Sequence, residues 1–310
     1  MAQDLLKDRE GGRFFRGNLH CHSNNSDGLL GPEEVVNAYR EAGYDFVCLS
    51  DHFEAEYGWR ITDTRPLHDE GFTTIVGAEL SSAPWSERDC YWVTAAGLPV
   101  DFEPPSAEDH AEAIGRARDS GAFVVMLHPG LNNLPLEAAD RSPALEAVHA
   151  VEVYNHHLAT LAGPDQAHGA YMLDGLLEKG RRLLVNAGDD AHFDDPKDRF
   201  GGWVEVHCER LNPEALLASM KAGRYYSTQG PSFSELLLDG DRLLVETSEV
   251  YAITLTGGGD RWHSAQERTG EGGEPISRAE FDLSPFRGSY CRVTVVDAGG
   301  RRAWSNPIWP

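Results

Sequence analysis

Histidines and carboxylates recur in short motifs through the first two thirds of this chain. His20 and His22 stand one residue apart and Asp27 follows. Then come Ser50-Asp51-His52, Gly77-Ala78-Glu79, Leu127-His128-Pro129-Gly130 and Gly188-Asp189-Asp190-Ala191-His192. Side chains at i and i+2 of a strand point to one face, so His20 and His22 can converge on a single cation. Taken singly, each motif has a plainer explanation. A buried histidine is often only hydrogen-bonded, Asp27 before Gly28 suits an Asx turn, and Glu79 suits a solvated strand end. Their joint recurrence in order is the stronger signal. Buried charges and imidazoles at such density are costly unless paired or metal-bound. The chemistry that follows is hydrolysis by water activated on divalent metal ions.

The elements around these motifs explain how they could meet. Short apolar runs read as strands: Phe46 to Leu49, Thr74 to Val76, Phe123 to Leu127, Val151 to Tyr154, Leu183 to Val185 and Val204 to Val206. Helices alternate with them. One runs from Glu33 to Ala42, started by Pro32 and stopped by Gly43; another is capped by Ser106 and ends near Ser120. Gln166 to Glu178 and Pro213 to about Ala222 complete the set. This alternation implies parallel βαβ units, and about seven repeats suit a barrel better than a small open sheet. In a parallel barrel the C-terminal strand ends share one face, which carries the site. After Gly230-Pro231 the pattern changes to short strands separated by turns, as in Glu235 to Leu238, Leu243 to Thr247, Tyr251 to Leu255, Ala279 to Leu283 and Cys291 to Val296. The expected fold is therefore α/β: a barrel unit over 1–230 and a small β-sandwich over 231–310, with a mobile glycine-rich loop from Gly257 to Gly273.

Composition narrows the function. The 310 residues are 41% hydrophobic and 25% charged, as in ordinary globular proteins. The formal net charge of −23 argues against a polymeric nucleic-acid partner. It leaves room for a small phosphorylated substrate at a local metal site. No apolar run approaches the ~20 residues that span a bilayer. The polar stretch from Met1 to Gly12 does not read as a signal peptide, so the expected location is cytoplasmic and no membrane partner is expected. The oligomeric state is not legible. Cys21, Cys48, Cys90, Cys208 and Cys291 form no CxxC pair and read as packing residues.

HxH, a following Asp, SDH, GxE, HPG and DAH in this order resemble the PHP (polymerase and histidinol phosphatase) family. The closing run from Gly223 to Pro231 and the tail from Arg302 to Ile308 resemble its carbaryl-hydrolase-like subgroup. The resemblance implies a distorted (β/α)7 TIM-like barrel holding two or three divalent ions, Zn, Mn or Fe. It implies that His20, His22, Glu79 and Asp190 hold a first metal, and that Asp27, His52 and His192 hold another. Glu79 would bridge to a middle metal that also takes His128. Asp51 and Asp189 would orient ligands. The catalytic candidates are His192, Asp190 and His128. One departure stands out: many relatives carry a further His on the strand after GxE, where this chain has Asp89-Cys90-Tyr91-Trp92-Val93. Either the site is binuclear or another group fills in, for which Cys90, Tyr91, His156 and His157 are the candidates.

These features imply a metal-dependent phosphoesterase acting on a small phosphomonoester or phosphodiester through a metal-bridged hydroxide. Arg60, Lys197 and Arg199 are loop cations that could grip the phosphate. Two other readings use the same residues. One is hydrolysis of an ester, amide or carbamate. The other is a non-catalytic metal-bearing scaffold, which would require Trp262, Trp304 or Trp309 to form an exposed binding platform on the sandwich.

Overall fold

The computed structural model describes residues 2–7, 11–84, 87, 89–105, 109–258 and 265–310. In chain order, β1 (Gln3–Asp4) and β2 (Arg13–Asn18) lead to α1 (Pro32–Glu41), β3 (Phe46–Leu49), β4 (Thr73–Ser81) and β5 (Trp92–Ala96). Then follow α2 (His110–Asp119), β6 (Phe123–Met126), α3 (Leu136–Arg141), β7 (Ala150–Asn155), α4 (Ala170–Glu178), β8 (Leu184–Gly188), β9 (Trp203–Cys208), α5 (Pro213–Lys221) and β10 (Tyr225–Thr228). The remainder is all strand: β11 (Phe233–Asp239), β12 (Arg242–Val250), β13 (Ala252–Gly257), β14 (Ala265–Thr269), β15 (Ile276–Asp282), β16 (Cys291–Val296) and β17 (Arg302–Ser305).

Local chemistry sets the helix starts. Glu34 accepts a hydrogen bond from the Gly31 amide at 2.8 Å ahead of Pro32. Asp109 caps α2 through the Glu112 amide, 2.9 Å, and Asn212 caps α5 through the Ala215 amide, 2.8 Å. The expected cap Ser106 lies outside the described residues. The helix expected from Gln166 begins later, at Ala170. Gly169 packs so closely on the Glu152 carbonyl that a Cβ there would lie 2.1 Å from it, and residues 167–169 are tied to β7 through a bridge between His168 and Tyr154.

The strands form one large sheet, ordered β14-β13-β16-β17-β10-β9-β2-β3-β4-β5-β6-β7-β8, and a second sheet, β1-β11-β12-β15. The fold is mixed α/β, and two expectations change. The barrel does not close by a hydrogen-bonded ladder: β8 ends the order, and the pairing side of β2 that a closing strand would need is taken by β9. Across the gap at the mouth runs an isolated bridge between Cys21 and Ala191. The sheet is also not uniformly parallel, because β5 runs against both β4 and β6, and β9 runs against β2. Reversal of β5 leaves β4 and β6 pointing the same way. The ends of β2, β3, β4, β6 and β8 therefore still lie together, which is what the site requires.

The C-terminal strands stack as two layers. Phe233, Leu243, Val245 and Phe281 of one sheet face Ile253, Leu255, Val293 and Val295 of the other, and Leu6 joins them from the N-terminal segment. This part is tied firmly to the rest. The buried Arg292 guanidinium grips Asp174 of α4 at 2.8 and 2.7 Å, and Asn306 bonds the Val185 amide and the Tyr225 carbonyl. Within the expected 257–273 loop, Ala265–Thr269 is instead strand β14, paired with β13. All five cysteines are free and buried. Among the described residues no helix is long and apolar enough to cross a membrane.

Gly17 shows how tightly β2 meets β3: a Cβ there would sit 2.1–2.3 Å from the Phe46 ring, itself fully buried. Gly17→Ala is expected to destabilise the protein by about 1–3 kcal/mol, read as a lower urea midpoint with unchanged m-value. Gly17→Ala combined with Phe46→Leu should recover part of the loss. An unchanged midpoint in the single variant contradicts this packing.

Candidate metal centre

Two segments running side by side set the site's frame. After β2 the chain continues through His20, Cys21 and His22. After β8 it continues through Asp190, Ala191 and His192. The Asp190 amide donates to the His20 carbonyl at 2.8 Å, and the His22 amide to the Ala191 carbonyl at 2.9 Å. In this register His20, His22 and Asp190 turn inward, while Cys21 and Ala191 turn into an apolar cluster with Val47 and Leu49. His52 and Glu79 are joined by a similar bridge between the ends of β3 and β4. Asp190 (φ +59°) and His128 (φ +22°) both occupy left-handed backbone. That region is costly for residues with a Cβ and is found most often where function demands it.

The donor atoms meet closely. His20 Nε2 lies 3.2 Å from Glu79 Oε2 and 3.0 Å from Asp190 Oδ1, and His22 Nε2 lies 3.2 Å from both carboxylate oxygens. Four donors about 2 Å from one ion, at tetrahedral or octahedral angles, stand roughly 3 Å apart. A second group adjoins the first: Asp27 Oδ2 is 3.3 Å from both His52 Nε2 and His192 Nε2, and Asp27 Oδ1 is 3.4 Å from His22 Nδ1. His128 approaches from the far side of Glu79, its Nε2 3.6 Å from Oε1. Residues of both expected ligand groups thus gather at one place, with Glu79 between His20, His22 and His128.

The electrostatics carry the same message. Burial works against the charge on Glu79 and Asp190, yet both are held well below the usual carboxylate range by surrounding imidazoles. Asp27 is lowered too, by His192 and His52, against the effect of its partial burial. Burial opposes protonation of His20 and His22, but the carboxylates override it; His22 is raised to about 10. Among the described residues no Lys or Arg lies within ion-pair distance of Glu79, Asp190 or Glu152. Either ring protons or cations must stand between these nitrogens and oxygens, and the donor set and spacing fit cations.

Glu152 is a residue the sequence reading passed over. It sits buried in β7, accepts from His20 Nδ1 at 3.0 Å, and accepts from the His128 amide at 2.9 Å. Bonding at Nδ1 leaves the Nε2 lone pair of His20 free to face the cluster. Asn155 links Glu152 (3.0 Å) to Asp190 (3.1 Å). The available signal was a carboxylate inside an otherwise apolar strand. Asp198 was passed over as well; it braces the amides of His192 and Phe193, both at 2.8 Å. Asp189 accepts from Tyr39 and from the amides of Phe200, Gly201 and Gly202. Asp51 gathers Ser23, Ser26 and Thr62. Both fix the loops that carry the ligands.

The proposed substitutes for the missing histidine divide. Cys90 Sγ bonds the Ala83 carbonyl and Tyr91 bonds Ser142, both away from the cluster. His156 bonds Tyr154 and packs on Gly201. His157 does reach the site, its ring 4.8 Å from that of His192. A cavity of about 290 Å³ opens here, bounded on one side by His52, Glu79, His128, Asp190 and His192 and on the other by Trp92, Leu131, His157 and Leu158. Arg60, Lys197 and Arg199 do not line it; Arg60 and Lys197 are exposed, and Arg199 lies over Phe193 and Phe200.

No protein-family profile matches the chain. A relative named "Probable phosphatase" from Shewanella piezotolerans is 27% identical over 217 residues, covering 61% of this chain and 86% of that protein. A solved two-domain protein from Bacteroides vulgatus, described as containing a predicted PHP-like metal-dependent phosphoesterase, superposes with TM-score 0.53 at 17% identity, covering 94% of this chain and 92% of the other. In fold, this chain is PHP-like. Neither relative carries a carbaryl-hydrolase description.

His20→Ala combined with Asp190→Ala is expected to lower the metal content of purified protein, measured by elemental analysis, while cooperative thermal unfolding persists. Glu152→Ala, which leaves every ligand in place, should weaken metal affinity about 10–100-fold in a chelator competition, with Glu152→Gln weakening it less. Full metal content in the double variant contradicts the ligand assignment.

Proposed function

We propose that this PHP-like chain is a metal-dependent phosphoesterase acting on a small phosphomonoester or phosphodiester. The observation that carries the reading is the convergence of His20 Nε2, His22 Nε2, Glu79 Oε2 and Asp190 Oδ1, each ring nitrogen 3.0–3.2 Å from each carboxylate oxygen. His20, His22, Glu79 and Asp190 hold a first cation; Asp27, His52 and His192 hold a second; His128 approaches a third position beside Glu79. Zn, Mn and Fe all suit such a donor set. Divalent ions bound there supply Lewis acidity toward phosphoryl oxygens and lower the pKa of water. The stretch 1–230 carries the site, as a distorted barrel, and 231–310 forms an accessory sandwich to which β1 and Leu6 of the first stretch are added.

The remaining work falls to the chain itself. Glu152 keeps the His20 tautomer fixed and ties His128 to the same carboxylate. Asp198 holds the backbone of His192, whose ring lies beside Asp27 at the cavity; its Nδ1 donates to the Asp190 carbonyl at 2.8 Å, which leaves Nε2 as the ligand atom. Trp92, Leu131 and Leu158 limit water on the opposite side.

One observation favours a second reading. Among the described residues that line the cavity there is no Lys or Arg, which also suits an uncharged ester, amide or carbamate. It ranks second because a phosphate dianion can be neutralised at the cations themselves. Two of the three tryptophans named for the scaffold reading are used in packing: Trp304 is buried in the core and Trp309 packs between Tyr290 and Arg182, while Trp262 lies outside the described residues.

Protein loaded with Mn or Zn is expected to turn over members of a broad phosphomonoester and phosphodiester panel, followed by phosphate or alcohol release. Absence of turnover on the whole panel, together with hydrolysis of carboxylic esters or carbamates, overturns the phosphoester reading.

A further inference from the structure

The cavity has two chemically different sides, and the division follows the strands. The ligand side comes mainly from the ends of β3, β4 and β8, with His128 from the end of β6. The other comes from β5, β6 and β7, and carries Trp92, Leu131 and Leu158, with His157 at its edge beside His192. Trp92 reaches the mouth because β5 is reversed, so that its first residue lies there. Its cross-strand partner is Ser81, two residues beyond Glu79. Cross-strand partners project to one face, which puts the indole on the face of Glu79. The indole tilts against His128 with ring centroids 5.7 Å apart. Leu131 follows His128 in a turn closed by its own amide on the His128 carbonyl, 2.9 Å. The Leu158 amide is held by Asn155 Oδ1 at 2.9 Å. The wall is thus fixed by the same segments that fix His128 and Glu152.

We infer that this wall is a subsite for the group esterified to the phosphate, and that it selects a single aromatic ring. The inference rests on the phosphoester reading and narrows it to small aryl phosphoesters. The two leucines offer side-chain carbon only, so sugar or glycerol hydroxyls seated against them would be desolvated without partners, which is costly. An aromatic ring loses nothing there and gains edge or face contact with the indole. The cavity, about 290 Å³, falls just below the ~300 Å³ at which pockets begin to take drug-sized ligands, which suits one ring beside its phosphoryl group. With no Lys or Arg among the described lining residues, the substrate's charge is met on the ligand side alone, and this fixes which end of the molecule faces the wall.

The test compares phenylphosphonate with methylphosphonate on Mn-loaded protein by calorimetry. The two share a phosphorus headgroup, and neither is hydrolysed, so leaving-group reactivity plays no part. Phenylphosphonate is expected to bind at least about tenfold more tightly, equivalent to ~1.4 kcal/mol. That ratio should fall to about twofold or less in Trp92→Ala and by an intermediate amount in Leu131→Ser. Leu131 is a half-buried loop residue, so its variant keeps the test readable if Trp92→Ala does not fold. Equal affinities in the parent protein, or a preference that survives in every folded variant, overturn the subsite while leaving the phosphoester reading standing. Binding of neither phosphonate to fully metal-loaded protein overturns both.

Discussion

Among the described residues, the partners of the buried carboxylates Glu79, Asp190 and Glu152 are imidazoles and amide groups. Charge removed from water must be compensated nearby, because the desolvation penalty for an isolated ion is several kcal/mol even after relaxation. Here the described residues provide no Lys or Arg as counter-charge at the cluster. The imidazoles can carry part of the compensation as protons, and the displaced pKa values express that tendency. Divalent ions would provide the rest and would use the nitrogen lone pairs that now face carboxylate oxygens. Most local features of the fold follow from keeping those groups in place.

The left-handed backbone at Asp190 and His128 is one consequence, since each must leave its strand and turn sharply inward. The bridge between Cys21 and Ala191 is another: it locks two ligand-bearing segments in register where the large sheet has no closing ladder. Glu152 is a third, connecting His20 to the His128 backbone from the middle of a neighbouring strand. The reversed β5 adds a different element, an indole at a position where a co-directional strand would present its other end. A ligand side and an apolar side therefore arise from a single topological irregularity.

Much of the candidate site was legible because its residues obey simple rules. His20-Cys21-His22 has the two-residue period of a strand, and the other motifs fall where apolar runs stop. Glu152 was hidden because one acid in a strand looks the same whether it faces solvent or a histidine. The direction of β5 was equally hidden, since Trp92 to Ala96 has the same pattern whichever way it runs; the decision lies in how Ser81 pairs with Trp92 across the intervening loop. Closure of the barrel failed as an expectation because strand counting is blind to β9 taking the edge of β2. Strand β1 has only two residues and carries no pattern at all; it exists because Leu5 and Leu6 dock on β11 and the apolar layer beneath it.

The most direct test of cation binding is diffraction from crystals grown with Mn, recorded where manganese scatters anomalously. The account predicts a strong anomalous peak within bonding distance of His20 Nε2, His22 Nε2, Glu79 Oε2 and Asp190 Oδ1. Crystals in which that position holds no anomalous scatterer, with the imidazoles hydrogen-bonded directly to the carboxylates as cations in their own right, would contradict it.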